Sequence, residues 1–180
     1  MILPKSEQTP FFENFYPLLC YVAVYSGLIA PASTLADFFK APADVVIKSR
    51  DALFNDRHLL KYYVTDNARF LKPLKPGFVD EVKKGIFSDF IVLKEEKQFG
   101  VFIDRKTGRF YHVTGLTGPF SDILKYIPGY CKTALFNFGN HLVWDGIAIQ
   151  KDKPVTASLV QTLLQQYDAA LKAKKVIDLL

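Results

Sequence analysis

Three features of this 180-residue chain predict an α+β fold. Apolar residues recur at helical spacing up to about residue 85, short apolar runs between tight-turn residues follow to about 150, and an amphipathic stretch comes after Pro154. The expected arrangement is a single domain over 1–180. N-terminal helices (about 1–85) pack on a small five-stranded antiparallel barrel or curved sheet (about 86–150), followed by a C-terminal helix at about 156–177. A content of 49% hydrophobic, 14% aromatic and 23% charged residues excludes a disordered chain. At this length about 70% of the unfolded surface is buried, so no metal or disulfide staple is required.

Thr9-Pro10 reads as an N-cap followed by proline at the first helical position. Phe11, Phe15, Leu18, Leu19, Val22 and Tyr25 then keep helical spacing, Pro17 either kinks the helix or marks its first turn, and Gly27 suits its end. Ser33 caps a short helix through Phe39. Pro42 opens another to about Phe54, with Ala43, Val46 and Ile47 on one side. Further helical pieces cover 57–64 and 78–84, the second ended by Gly85. Between them, Pro73 and Pro76 make the best boundary candidate.

Five strands are expected at 90–93, 99–103, 109–114, 132–138 and 141–149, with hairpin turns at 104–108 and at Gly139-Asn140. Residues 121–127 read as one or two helical turns, capped by Ser121 and stopped by Pro128-Gly129. Three strands, a short helix and a final hairpin is the order of an OB-type barrel, and a half-open barrel or strongly curved sheet is the preferred form. In the last segment, Ser158-x-x-Gln161 is a capping-box pattern. Val160, Leu164, Tyr167 and Leu171 make a stripe widened by Leu159 and Leu163, and Lys172, Lys174 and Lys175 suit the helix C-terminus.

A net charge of +5 is spread along the chain without a basic tail, which is weak support for nucleic acid. Cys20 and Cys131 stand far apart without a CxxC partner, so free thiols and a cytoplasmic location are expected. The first residues lack the pattern of a signal peptide. Residues 14–36 are uncharged, but their apolar part, about 15–30 and interrupted by Pro17 and Gly27, suits a buried helix better than a membrane span.

Several chemistries lack their motifs. No HExxH, HxH or CxxC accompanies His58, His112 and His141, so no metal site is expected; GxSxG, GxGxxG and GxxxxGK[ST] are also missing, and no cofactor is expected. Gly115-Leu-Thr-Gly118 reads as a turn, and Glu95-Glu96 as a solvated hairpin tip. A thiol set of Cys131, His112 and Asp145 can be drawn, but a structural role for each is preferred, and no catalytic residue is assigned. Candidate binding residues are Arg105, Lys106 and Arg109 beside Tyr111 and His112, where cations next to an exposed ring would suit a single strand of nucleic acid. Alternation puts Tyr111 on one strand face and Phe110 with His112 on the other, so one set should face outward. Trp144 and Asp145 precede a glycine inside a strand and could face a ligand at a kink, although a core tryptophan with Gly146 turning a corner is preferred.

Phe15-Tyr-Pro-Leu-Leu-Cys-Tyr-Val22, Arg50-Asp-Ala-Leu-Phe54, Asp89-Phe-Ile-Val-Leu-Lys94, Phe110-Tyr-His-Val-Thr-Gly-Leu116 and Thr133-Ala-Leu-Phe-Asn-Phe-Gly-Asn-His-Leu-Val-Trp-Asp-Gly146 resemble, in order, a bacterial domain family of unknown function. The resemblance spans about residues 11–149 and implies helices followed by a sheet, with no activity attached; Asn137 and the proline-rich link at 73–77 depart from it. Val82-Lys-Lys-Gly85, Gln98-Phe-Gly-Val-Phe-Ile-Asp104 and Tyr111-His-Val-Thr-Gly-Leu116 are similar to the first strands of S1-type RNA-binding OB domains. The expected function is a non-catalytic binding or interaction module, its partner an unknown protein or a second copy met through the C-terminal helix. Single-stranded nucleic-acid binding at 105–112 is the alternative, and a small hydrolase comes third.

Overall fold

The computed structural model describes residues 2–67 and 75–180, so Pro73 of the expected boundary lies outside the described residues. The chain divides into two compact units, Ser6–Lys83 and Met1–Lys5 with Lys84–Leu180.

The first unit is helical: α1 (Lys5–Tyr25), α2 (Leu35–Lys40), α3 (Ala43–Asn55), α4 (His58–Asn67) and α5 (Phe78–Lys84). Phe11, Phe15, Leu18, Leu19 and Val22 are all buried, as their spacing predicts. The start differs. The helix begins at Lys5, placing Pro10 and Pro17 inside it. Burial of the apolar face carries the helix past two missing N–H donors, each of which would cost about 3 kcal/mol in an exposed helix. The cap of α2 also shifts by one residue. Thr34 Oγ1 accepts from the Asp37 N–H at 3.3 Å, and the Asp37 carboxylate accepts from the Thr34 N–H at 2.8 Å, a reciprocal capping box where Ser33 was expected. No helix among the described residues is long and apolar enough to cross a membrane.

The second unit is a curled antiparallel sheet with β1 (Ile86–Glu95), β2 (Gly100–Asp104), β3 (Phe110–Val113), β4 (Gly129–Phe138), β5 (His141–Trp144) and β6 (Ile149–Pro154). The strand order is β3-β2-β1-β4-β5, with β6 paired to β4. A parallel bridge from Thr114 to Val143 joins the two ends of that order, curling the sheet into a half-barrel with the expected OB-like sequence of strands. Inside it, Phe90, Phe102, Tyr111, Phe120 and Trp144 form an edge-to-face chain with ring centroids 5.1–6.2 Å apart. Gly100 is required where this chain touches backbone, because a Cβ there would lie 2.7 Å from the Phe120 ring.

The outer face is covered in part by α6 (Ala157–Lys172), whose Leu163 and Tyr167 pack against Ile91, Leu93, Val101, Ile103 and Phe110. Most of the apolar stripe of this helix therefore lies on the chain's own sheet, with Leu171 left exposed. Beyond α6, Ile177 pairs in parallel with Tyr111, and the Asn137 amide exchanges two hydrogen bonds with the Leu180 backbone.

Several boundaries are corrected. β1 starts at Ile86 rather than 90, β5 ends at Trp144 rather than 149, and β6 was not expected at all. The 121–127 turns reduce to a 3-10 turn at Phe120–Asp122. Its leading N–H groups, those of Phe120 and Ser121, are bound by the Glu95 carboxylate at 2.6 and 3.1 Å. Glu95 is thus an anchor and not a solvated turn residue. Thr156, not Ser158, is the N-cap of α6, so the Ser158–Gln161 box lies within the helix and caps nothing.

Candidate functional site

The β2–β3 hairpin tip is organised by Asp104. Its buried carboxylate accepts from Ser88 Oγ, the Lys106 N–H and Thr107 Oγ1 at 2.7–2.9 Å. Burial works to raise this carboxyl, but the three donors and the nearby Lys106 charge outweigh it and hold it below its usual value. Arg105, Lys106 and Arg109 are exposed on the tip.

The expectation that one ring set of β3 faces solvent is not met. Tyr111 is 1% exposed, inside the half-barrel, and Phe110 on the opposite face lies 5.7 Å from the Tyr167 ring of α6. His112 is half-buried and stacked on Phe99 with ring centroids 3.7 Å apart. Its Nδ1 lies 2.8 Å from the Asp178 carboxylate and its Nε2 lies 2.8 Å from the Tyr167 hydroxyl. A carboxylate only accepts, so Nδ1–H donates to Asp178, and in the neutral ring Nε2 accepts from Tyr167. Burial, then the charges of Glu96, Asp168 and Asp178, push the Tyr167 hydroxyl up to about 12, so it serves as a hydrogen-bond partner at neutral pH. A pocket of about 150 Å³ beside this group is lined by His112, His141, Asn140 and Asp178. It falls short of the roughly 300–1,000 Å³ of ordinary small-molecule sites.

Trp144 is fully buried and fills the half-barrel. Asp145 accepts from Thr133 Oγ1 at 2.7 Å, the Ile147 N–H at 2.9 Å and the Ala134 N–H at 3.3 Å, tying the end of β5 back to β4. Gly146 follows at φ +77°, a left-handed turn that glycine adopts without strain. The core reading of this pair therefore holds over the ligand-facing one. Cys131, His112 and Asp145 do not form a set: Cys131 is buried opposite Phe90, while His112 and Asp145 are held by the partners just described. No group of three or more His, Cys, Asp or Glu residues among the described ones is arranged to hold a metal.

What the structure does assemble is a row of residues on the outer sheet face. Pairing of Asp89 with Lys132 and of Lys132 with Ile149 sets Phe87 and Asp89 of β1, Tyr130 and Lys132 of β4, and Ile149 and Lys151 of β6 on one side. The Arg105 guanidinium lies over the Tyr130 ring at 5.1 Å, Lys151 Nζ over the same ring at 5.7 Å, and Lys132 Nζ over Phe87 at 4.5 Å. Each such contact is worth about 0.5–1 kcal/mol at an exposed site and holds the cation in place. Arg105 and Lys151 make no ion pair among the described residues. Arg105 is the one candidate named from sequence that takes part. Phe87, Tyr130, Lys132 and Lys151 escaped notice because their common face depends on β1 beginning at Ile86, on β4 beginning at Gly129 rather than 132, and on β6 existing.

The helical unit carries a separate, larger cleft of about 380 Å³ against α4 and α5. Searches against known proteins find no matching protein-family model, curated protein or solved structure.

Proposed function

We propose that the protein is a non-catalytic binding module whose ligand meets the outer sheet face at Phe87, Arg105, Tyr130, Lys132 and Lys151. The observation that carries this reading is the set of cations held over aromatic rings on one side of a hydrogen-bonded sheet. Such an array presents charge at fixed positions, so less side-chain entropy is lost when an anionic partner binds.

A second reading, that the ligand is a single strand of nucleic acid, is favoured by Tyr130 and Phe87 sharing the face with the cations. Bases can replace the ammonium groups on the rings as those groups move to phosphates. On this reading the strand would meet β1, β4 and β6 together with Arg105, rather than the rings of the 105–112 hairpin, which are covered.

Fluorescence anisotropy with a labelled 15-residue oligothymidylate, its duplex form and a labelled 15-residue polyglutamate separates the readings. At least one probe should bind saturably, lose affinity as salt rises, and lose tenfold or more with Arg105→Glu/Lys151→Glu. If no probe does so, the module reading fails. A tenfold preference for the single strand over duplex and peptide supports the second reading, and removing three phosphate contacts (Arg105, Lys132 and Lys151 to Ala) should then flatten the log–log salt slope by about two. Equal binding, or preference for the peptide or the duplex, overturns the second reading and leaves the first.

A further inference from the structure

The cleft in the helical unit has the size of a small-molecule site, at about 380 Å³ against the roughly 300–1,000 Å³ usual for such sites. Its walls combine two chemistries. Leu60, Val64 and Val79 supply an apolar surface, Leu60 buried and Val64 exposed. Around it stand Arg57, Lys61 and Lys83, opposed by a single carboxylate among the described lining residues, that of Asp80.

The placement follows from helix geometry. Lys61, Val64 and Thr65 recur at the three- and four-residue spacing that lines one face of α4, with Arg57 in the turn just before it, and Val79, Asp80 and Lys83 do the same on α5. Arg57 is fixed in position. Its Nη1 donates to the carbonyls of Val82 and Lys83 at 2.6 and 3.0 Å, its Nε donates to Phe54, and its guanidinium carbon lies 4.5 Å from the centre of the Phe54 ring. The ammonium groups of Lys61 and Lys83 are exposed and form no ion pair among the described residues. Like charges gathered around an apolar surface repel one another, and an anion seated between them relieves that repulsion.

We propose that this cleft binds a small amphipathic anion: an apolar body on Leu60, Val64 and Val79, and a carboxylate or phosphate monoester meeting Lys61 and Lys83, with the Arg57 charge beside them. This site is independent of the outer sheet face, so either can fail without the other.

The test titrates the full chain with octanoate, octyl phosphate, inorganic phosphate and octylammonium, read by calorimetry and by amide chemical shifts. Octanoate or octyl phosphate should bind saturably, inorganic phosphate at least tenfold more weakly, and octylammonium not at all. Shifts should cluster at residues 57–65 and 78–83. A tenfold preference between the two octyl anions supports the proposal and identifies the headgroup. Lys61→Glu/Lys83→Glu changes two exposed side chains and should weaken binding tenfold or more. Lys40→Glu/Lys172→Glu makes the same change in net charge elsewhere and should leave binding within about twofold. Circular dichroism checks that both variants keep their helix content. Comparable binding of octylammonium, no saturation by either anion below about 10 mM, shifts confined to other segments, or equal loss in both double variants would overturn the proposal.

Discussion

The two units secure their polar groups differently. In the helical unit several side-chain hydrogen bonds are local, Thr34 with Asp37, Lys48 with Asp44, Ser49 with Val45 and Arg50 with Asp51, while Arg57 reaches Val82 and Lys83, and Tyr21 reaches Asp66. In the β unit, beside local bonds at Asp104 and Asp145, several join residues distant in sequence. Ser88 binds Asp104, Glu95 binds the 3-10 turn, Asp145 binds Thr133, and His112 binds Tyr167 and Asp178. The units also differ in where their rings go. The β unit places five rings in one interior chain, whereas the helical unit leaves Tyr25 and Tyr62 stacked at 5.6 Å while 55% and 42% exposed. Capping and i,i+4 bonds can form as each helix forms. Those of the half-barrel need the complete strand order, so one change there should cost more.

The largest expected effect is in the interior ring chain. Phe102→Ala should destabilise the β unit by about 3–5 kcal/mol, because Phe102 is fully buried between Phe90 and Phe120. Trp144, the only tryptophan, reports on this unit, so urea unfolding followed by its fluorescence measures the loss. A cost below about 1 kcal/mol would mean that the chain of rings is not the core.

Asp145→Ala comes next, at about 2–3 kcal/mol by the same measurement, since Thr133, Ala134 and Ile147 all lose their acceptor. If Asp145→Ala costs no more than loss of a helix cap, the contrast between long-range and local anchoring fails.

Asp104 sharpens the contrast through pH. Its carboxyl is held below the unfolded value, so the folded state binds fewer protons as pH falls below about 4. The stability it contributes is fully present above the unfolded value and is lost as pH falls through the folded one. Asp104→Asn should therefore remove part of the acid-side slope, by up to about one proton, and a wild-type slope in the variant would exclude Asp104 as its source.

The smallest effect should be local. Thr34→Ala removes one side of the α2 capping box and should cost about 1 kcal/mol, read by far-ultraviolet circular dichroism. A loss as large as that of Asp145→Ala would break the comparison from the other side.

The sequence was most legible where one face of an element is buried and the other is wet. Phe11, Phe15, Leu18, Leu19 and Val22 announced α1 through their spacing alone. Its start misled because Pro10 is an ordinary first-turn signal, and only the packing of a long helix reveals that proline tolerated inside. β3 misled for the opposite reason: parity cannot tell inside from outside when the half-barrel interior takes Tyr111 and α6 covers Phe110. β6, with Gln150, Lys151, Asp152 and Lys153, has little apolar pattern to read and is held by backbone pairing to β4.

By itself the sequence determined the α+β class, most of the strands, the two hairpin turns and the position of the last helix, because these follow from local periodicity and turn chemistry acting over a few residues. The tertiary structure decided which surfaces remain available. Closure between Thr114 and Val143, the seating of α6 and the pairing of β6 placed Tyr111, Trp144 and Asp145 inside and set Arg105, Tyr130, Lys132 and Lys151 side by side. Such juxtapositions depend on contacts across tens of residues, and local spacing carries no record of them.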